Sequence, residues 1–96
     1  MAKGYLVVTY LAINDQEKWS AYAKLAVPAF QKMGGRFIVR GMPSKTYEKG
    51  MNQRVVIVEF DSVQKVYEAH ESPDYQVALR ALGNGAERDI RIMEGV

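Results

Sequence analysis

The sequence predicts an α+β sandwich in the order βαββαβ, with a four-stranded antiparallel sheet carrying two helices on one face. Three observations predict it. Four short runs are rich in Val, Ile, Tyr, Phe and Thr, as strands are. The stretches after the first and third runs space their apolar residues three and four apart, as amphipathic helices do. The chain is 96 residues long with no low-complexity tract, room for one domain spanning 1–96.

The first strand runs from Tyr5 to Ile13. Its odd positions (Tyr5, Val7, Thr9, Leu11, Ile13) and its even ones (Leu6, Val8, Tyr10, Ala12) are both largely apolar, so both faces should be covered. Asn14-Asp15 offers an oxygen to the free amides of a first helical turn. Trp19, Tyr22, Ala26, Phe30 and Met33 then mark one face of a long helix. Pro28 removes one backbone bond and should kink that helix, and Gly34-Gly35 ends it. Arg36 to Arg40 is the second strand. Gly41-Met42-Pro43 interrupts it, Ser44 to Glu48 resumes the extended chain, and Lys49-Gly50-Met51-Asn52 turns into the third strand, Gln53 to Phe60. Asp61-Ser62 caps a helix with Val63, Val66, Tyr67 and His70 on one side. Ser72-Pro73-Asp74 restarts it with a cap, a proline suited to the first turn and an acid at the positive end of the dipole. Tyr75, Ala78, Leu79 and Leu82 face inward. Gly83-Asn84-Gly85 breaks the helix, and Glu87 to Glu94 is the last strand. This order is the ferredoxin-like sandwich.

In that topology both helices cover one sheet face and leave the other bare. The bare face would still be apolar here, because the third strand carries Val55 and Ile57 on one side and Val56, Val58 and Phe60 on the other. Monomers rarely expose a contiguous apolar area of several hundred Å². A second copy laid face to face is the simplest cover, which predicts a homodimer.

Composition excludes several classes. Lys and Arg number 13 against 11 for Asp and Glu, a net charge of +2 with no basic stripe, so no nucleic-acid partner is expected. The absence of cysteine removes disulfides, thiolate metal sites and a cysteine nucleophile. No apolar run approaches membrane-spanning length, and the start of the chain lacks a secretory apolar core, so a cytoplasmic protein without a membrane partner is expected.

His70 is the sole histidine and the one side chain that titrates near neutrality unaided. It reads either as a hydrogen-bonded core or cap residue or as a general acid/base in a pocket between helix and sheet. One histidine makes no metal site alone, so no metal or cofactor is expected. Arg36 and Arg40, four apart on a strand, should share a face, with Arg54 on the strand beside them. Their guanidinium forks suit a ligand carboxylate or phosphate. Equally, Glu59, Asp61 or Asp89 would hold them in ordinary ion pairs. The aromatics Trp19, Tyr22, Phe30, Phe37, Tyr67 and Tyr75 line either a pocket or a core. Phosphate-loop and serine-nucleophile signatures are absent.

The stretches GGRFIVRG (Gly34 to Gly41) and ESPDYQ (Glu71 to Gln76) resemble those of a bacterial family of unknown function, domain of unknown function thirteen-thirty. KGY at Lys3 to Tyr5, VVIVEFDS at Val55 to Ser62 and the closing MEGV extend the likeness over nearly the whole chain. Two positions depart from the family pattern: Asp61 where proline is frequent, and Met42 where a second glycine follows VRG. The resemblance implies a dimer whose two sheets face each other as an α/β barrel. Its wider superfamily includes cofactor-independent monooxygenases, muconolactone-type isomerases, heme-dependent enzymes and regulatory ligand-binding domains, and a shared fold selects none of these.

Two functional readings follow. In the first, each protomer has a small-molecule pocket between helices and sheet, using Tyr22, His70 and Tyr75 with Arg40 or Glu59 in reach, for acid/base isomerisation or cofactor-free oxygenation. In the second, the dimer is a non-catalytic module that senses a ligand or docks a protein.

Overall fold

Three small polar residues decide where the helices begin. In the computed structural model, which describes residues 2–96, the chain runs β1 (Gly4–Ile13), α1 (Gln16–Lys32), β2 (Arg36–Gly41), β3 (Val55–Phe60), α2 (Val63–His70), α3 (Pro73–Leu82) and β4 (Ala86–Glu94). Asp15 Oδ1 accepts from the Lys18 amide at 3.1 Å, and Ser62 Oγ from the Lys65 amide at 3.2 Å. Ser72 serves two helices at once. Its hydroxyl donates to the Ala69 carbonyl at 2.8 Å, near the end of α2, and accepts from the Tyr75 amide at 3.3 Å, at the start of α3. With Pro73 at the first helical position, the helix restarts where the sequence indicates, and α2 and α3 together form the second crossover.

The four strands form one sheet in the order β2-β3-β1-β4, antiparallel at every pairing. Leu6, Val8 and Tyr10 of β1, with Val58 and Phe60 of β3, point to the helix side and are buried. Val66, Tyr75, Ala78 and Leu82 meet them from α2 and α3, and Tyr22, Ala26 and Phe30 from α1. Phe30 stacks on Tyr75 with ring centres 4.5 Å apart and meets Phe60 edge-on at 6.1 Å. Pro28 lies inside α1 without ending it, and both it and Lys24, whose carbonyl loses a donor, are exposed. Gly34, at φ +90°, carries the chain out of α1. At Gly35 a Cβ would come within 2.8 Å of the Phe60 ring, so only glycine allows β2 to start this close to the core.

The segment between β2 and β3 departs from expectation. Residues 44–48 form no strand, and the turn comes earlier than predicted, with the Gly50 amide donating to the Tyr47 carbonyl at 2.9 Å. The third strand begins at Val55 rather than Gln53, although the Arg54 carbonyl still accepts from the Tyr10 amide at 3.0 Å. Residues 42–54 are therefore a long loop whose ends lie on adjacent strands. Among the described residues no helix is long and apolar enough to cross a membrane.

Candidate functional site

α1 packs chiefly against α3 and leaves space above the β2–β3–β1 part of the sheet. That space is a cavity of about 220 Å³. Its floor is Val8, Val56 and Val58 from the strands; its walls include Trp19, Tyr22, Ala23, Ala26, Val27 and Phe30 from α1. Phe37, Arg40 and Arg54 close the side nearest the long loop. An apolar cavity of about 150 Å³ can hold benzene, so this one has room for a substituted ring. Trp19 is fixed by its indole N–H, which donates to the Tyr10 hydroxyl at 3.0 Å, and by an edge-on contact between the two rings.

Arg40 reaches the cavity because β2 is bulged. Arg36 pairs with Glu59 and Phe37 with Val58, but Val39, not Ile38, pairs with Ile57. One extra residue reverses the alternation from that point on. Arg36 therefore lies on the outer face with Glu59, whereas Arg40, opposite Val56, lies on the helix side. The expectation that Arg36 and Arg40 share a face is overturned by this single unpaired residue. Arg40 and Arg54 instead come together at the cavity, the first with its guanidinium 5.4 Å from the Phe37 ring centre, the second 5.0 Å from that of Trp19. Among the described residues, Arg36 is paired with Glu59 and Asp61, Arg91 with Asp89, and Arg88 with a phenol, while neither Arg40 nor Arg54 has an acidic partner.

Behind the cavity wall runs a chain of polar groups. Arg88 Nη1 donates to the Tyr22 hydroxyl at 2.9 Å, and the hydroxyls of Tyr22 and Tyr75 are 2.8 Å apart, either able to donate. The Arg88 guanidinium also lies 4.8 Å from the Tyr22 ring centre. Burial, more than any other influence, pushes the Tyr22 phenol far above its ordinary range, so it stays neutral. The His70 ring meets Tyr75 with centres 5.1 Å apart. Burial and the nearby Arg88 charge hold His70 below its usual 6.5, against a smaller opposing influence from Glu71. The structure thus brings Tyr22, Tyr75 and His70 together. Tyr22 alone of the three lines the cavity, and His70 approaches it only through the two phenols. Their arginine is Arg88, which sequence reasoning did not single out. Its parity with Ile90 and Ile92 was the available signal, since alternate residues of a strand share a face.

Glu59 is the site candidate that falls elsewhere. On the outer face it accepts from Arg36 Nε at 3.0 Å and from the Tyr5 hydroxyl at 3.0 Å. Arg36 first, then Tyr5, hold its carboxyl below the usual range, while the bond to Glu59 raises the Tyr5 phenol. No Asp, Glu or His lines the cavity.

Solved structures share this architecture at low sequence identity. A Rhodopseudomonas palustris protein of unknown function is 16% identical, with a TM-score of 0.76 over 99% of this chain and 83% of its own. SnoaB, a cofactor-independent oxygenase from Streptomyces nogalater, in a mutant form, is 15% identical, with a TM-score of 0.61 over 96% of this chain and 90% of its own. A nipsnap family protein of unknown function from Agrobacterium tumefaciens is 18% identical, with a TM-score of 0.58 over 98% and 88%. At such identities the likeness is one of fold. No curated protein matches the chain. The family model described as domain of unknown function (DUF1330) matches residues 3–96, from the lysine before β1 to the final valine, and to that family this chain belongs.

Proposed function

We propose that the protein is a homodimer in which each protomer binds a small, mostly apolar molecule in the cavity between α1 and the sheet. The cavity itself carries the reading: about 220 Å³ walled by aromatic and aliphatic side chains, with a few polar groups at one side, is the usual make-up of a ligand site. Tyr22 forms part of the wall. Tyr75 and His70 support Tyr22 from behind, and Arg40 stands at the rim. Glu59 serves the outer face. With no carboxylate or imidazole in the lining, an acid/base step would fall to a buried, neutral phenol, which is poorly matched to proton transfer near neutral pH. The lining therefore favours binding over isomerisation.

The proposed dimer interface is the outer sheet face. Val7, Val39, Val55 and Ile57 lie there, only partly buried, with Met93 half exposed beside them. At roughly 25 cal/mol per Å², covering several hundred Å² of such surface offsets a substantial part of the cost of association.

Native mass spectrometry of the purified protein tests both parts. A dimer that sheds a discrete small mass on activation, and no longer carries it once Ala23→Phe fills the cavity, is the expected result. A monomer at working concentration removes the dimer, and an adduct that survives Ala23→Phe removes the cavity. Oxygenation of a bound aromatic is the second reading, supported by the fold shared with the Streptomyces oxygenase and by the ring-sized apolar lining. Oxygen uptake on adding back the released ligand separates turnover from binding alone.

A further inference from the structure

The geometry points to the class of molecule the cavity takes: an aromatic carboxylic acid, its ring among the apolar walls and its carboxylate held between Arg40 and Arg54. This rests on the cavity reading above and deepens it. Both guanidiniums lie over rings of the wall, Arg40 over Phe37 and Arg54 over Trp19, contacts that favour keeping the two charges at the cavity. Both line the same cavity, and neither has an acidic partner among the described residues. Among the described residues the fold supplies acids to Arg36 and Arg91 but none to these two. The bulge in β2 brings Arg40 to this side, so the pair is a product of the backbone and not of long side chains wandering over a surface. The alternative is that the two side chains merely cover apolar rings with their stems. That alternative gives the two guanidiniums no anion to bind, whereas a ligand carboxylate at the rim would pair with them. A planar carboxylate suits a guanidinium fork, and a volume of about 220 Å³ admits one ring with a short arm.

Three probes of nearly equal size separate the possibilities: phenylacetate, 2-phenylethanol and phenethylamine, titrated into the full-length protein and followed by calorimetry and by emission of Trp19, the sole tryptophan. Phenylacetate should bind about tenfold or more tighter than the alcohol, and the amine more weakly than the alcohol. Arg40→Gln and Arg54→Gln should each remove most of the acid's advantage without changing affinity for the alcohol. Arg36→Gln, on the opposite face, should change neither. Equal binding of acid and alcohol would overturn the carboxylate inference while leaving the cavity reading intact. An acid preference untouched by either arginine variant would overturn the arginine assignment. Failure of all three probes to bind would overturn both the inference and the cavity reading.

Discussion

Arg88 is a charge on the helix side of the sheet, and its neighbours are phenols rather than acids. Tyr22→Phe removes the oxygen that accepts from it and also ends the bond to Tyr75, which should cost about 1–3 kcal/mol by urea unfolding. Tyr75→Phe keeps the Arg88–Tyr22 bond and should cost about 1 kcal/mol or less. An equal loss from both would mean the guanidinium is satisfied by water. His70 gives the chain a pH signature. Its value is lower folded than the unfolded 6.5, so the unfolded chain binds the proton more readily; stability falls as pH drops below 6.5 and levels off once the folded value is passed. Thermal unfolding should follow that course, and His70→Gln should flatten it. Glu59 adds a separate loss at lower pH, because its depressed value stabilises the fold above the unfolded 4.5, and this disappears as pH falls through the folded value. Of these residues, Tyr22, Tyr75 and His70 were legible from helical spacing. Arg88 was not, since in a strand reading Glu-Arg-Asp-Ile-Arg-Ile the charges look uniformly outward until parity with Ile90 is counted.

The elements themselves follow from local chemistry. Helix starts at Asp15, Ser62 and Ser72 were readable from their side chains, and the strands from their β-branched and aromatic runs. Ser72→Ala takes away a donor to α2 and an acceptor for α3 together, and should destabilise by about 1–2 kcal/mol, more than Ser62→Ala, whose hydroxyl serves one helix. Equal losses, measured in the same denaturant series, would show that the doubled role adds nothing. What the sequence concealed was register. Five residues reading Arg-Phe-Ile-Val-Arg fit an unbroken strand and a bulged one equally well, because the choice is made by how β2 meets β3. The loop of residues 42–54 was hidden for a similar reason: Lys49-Gly50 has turn chemistry, but no local signal shows that the flanking residues stay unpaired.

In the whole molecule, one face of the sheet is roofed by helices and the other carries partly exposed valine and isoleucine between charged pairs, Arg36 with Glu59 toward one side and Arg91 with Asp89 toward the other. If that face holds a second copy, the unfolding temperature should rise with protein concentration, as mass action requires. Ile57→Glu should abolish that dependence and yield a folded monomer by sedimentation; a dimer that survives it would place the contact elsewhere. The two lateral strands point the same way. β2 carries a bulge in mid-strand, and β4 reads Ala-Glu-Arg-Asp-Ile-Arg-Ile-Met-Glu, studded with charge. A kinked border and a charged one are both poor templates for a further strand, so the sheet resists growing sideways into a fibril. The extra residue at Ile38 that turns Arg40 inward thus has an outward effect as well: the same bulge that shapes the cavity also blunts the border of the sheet.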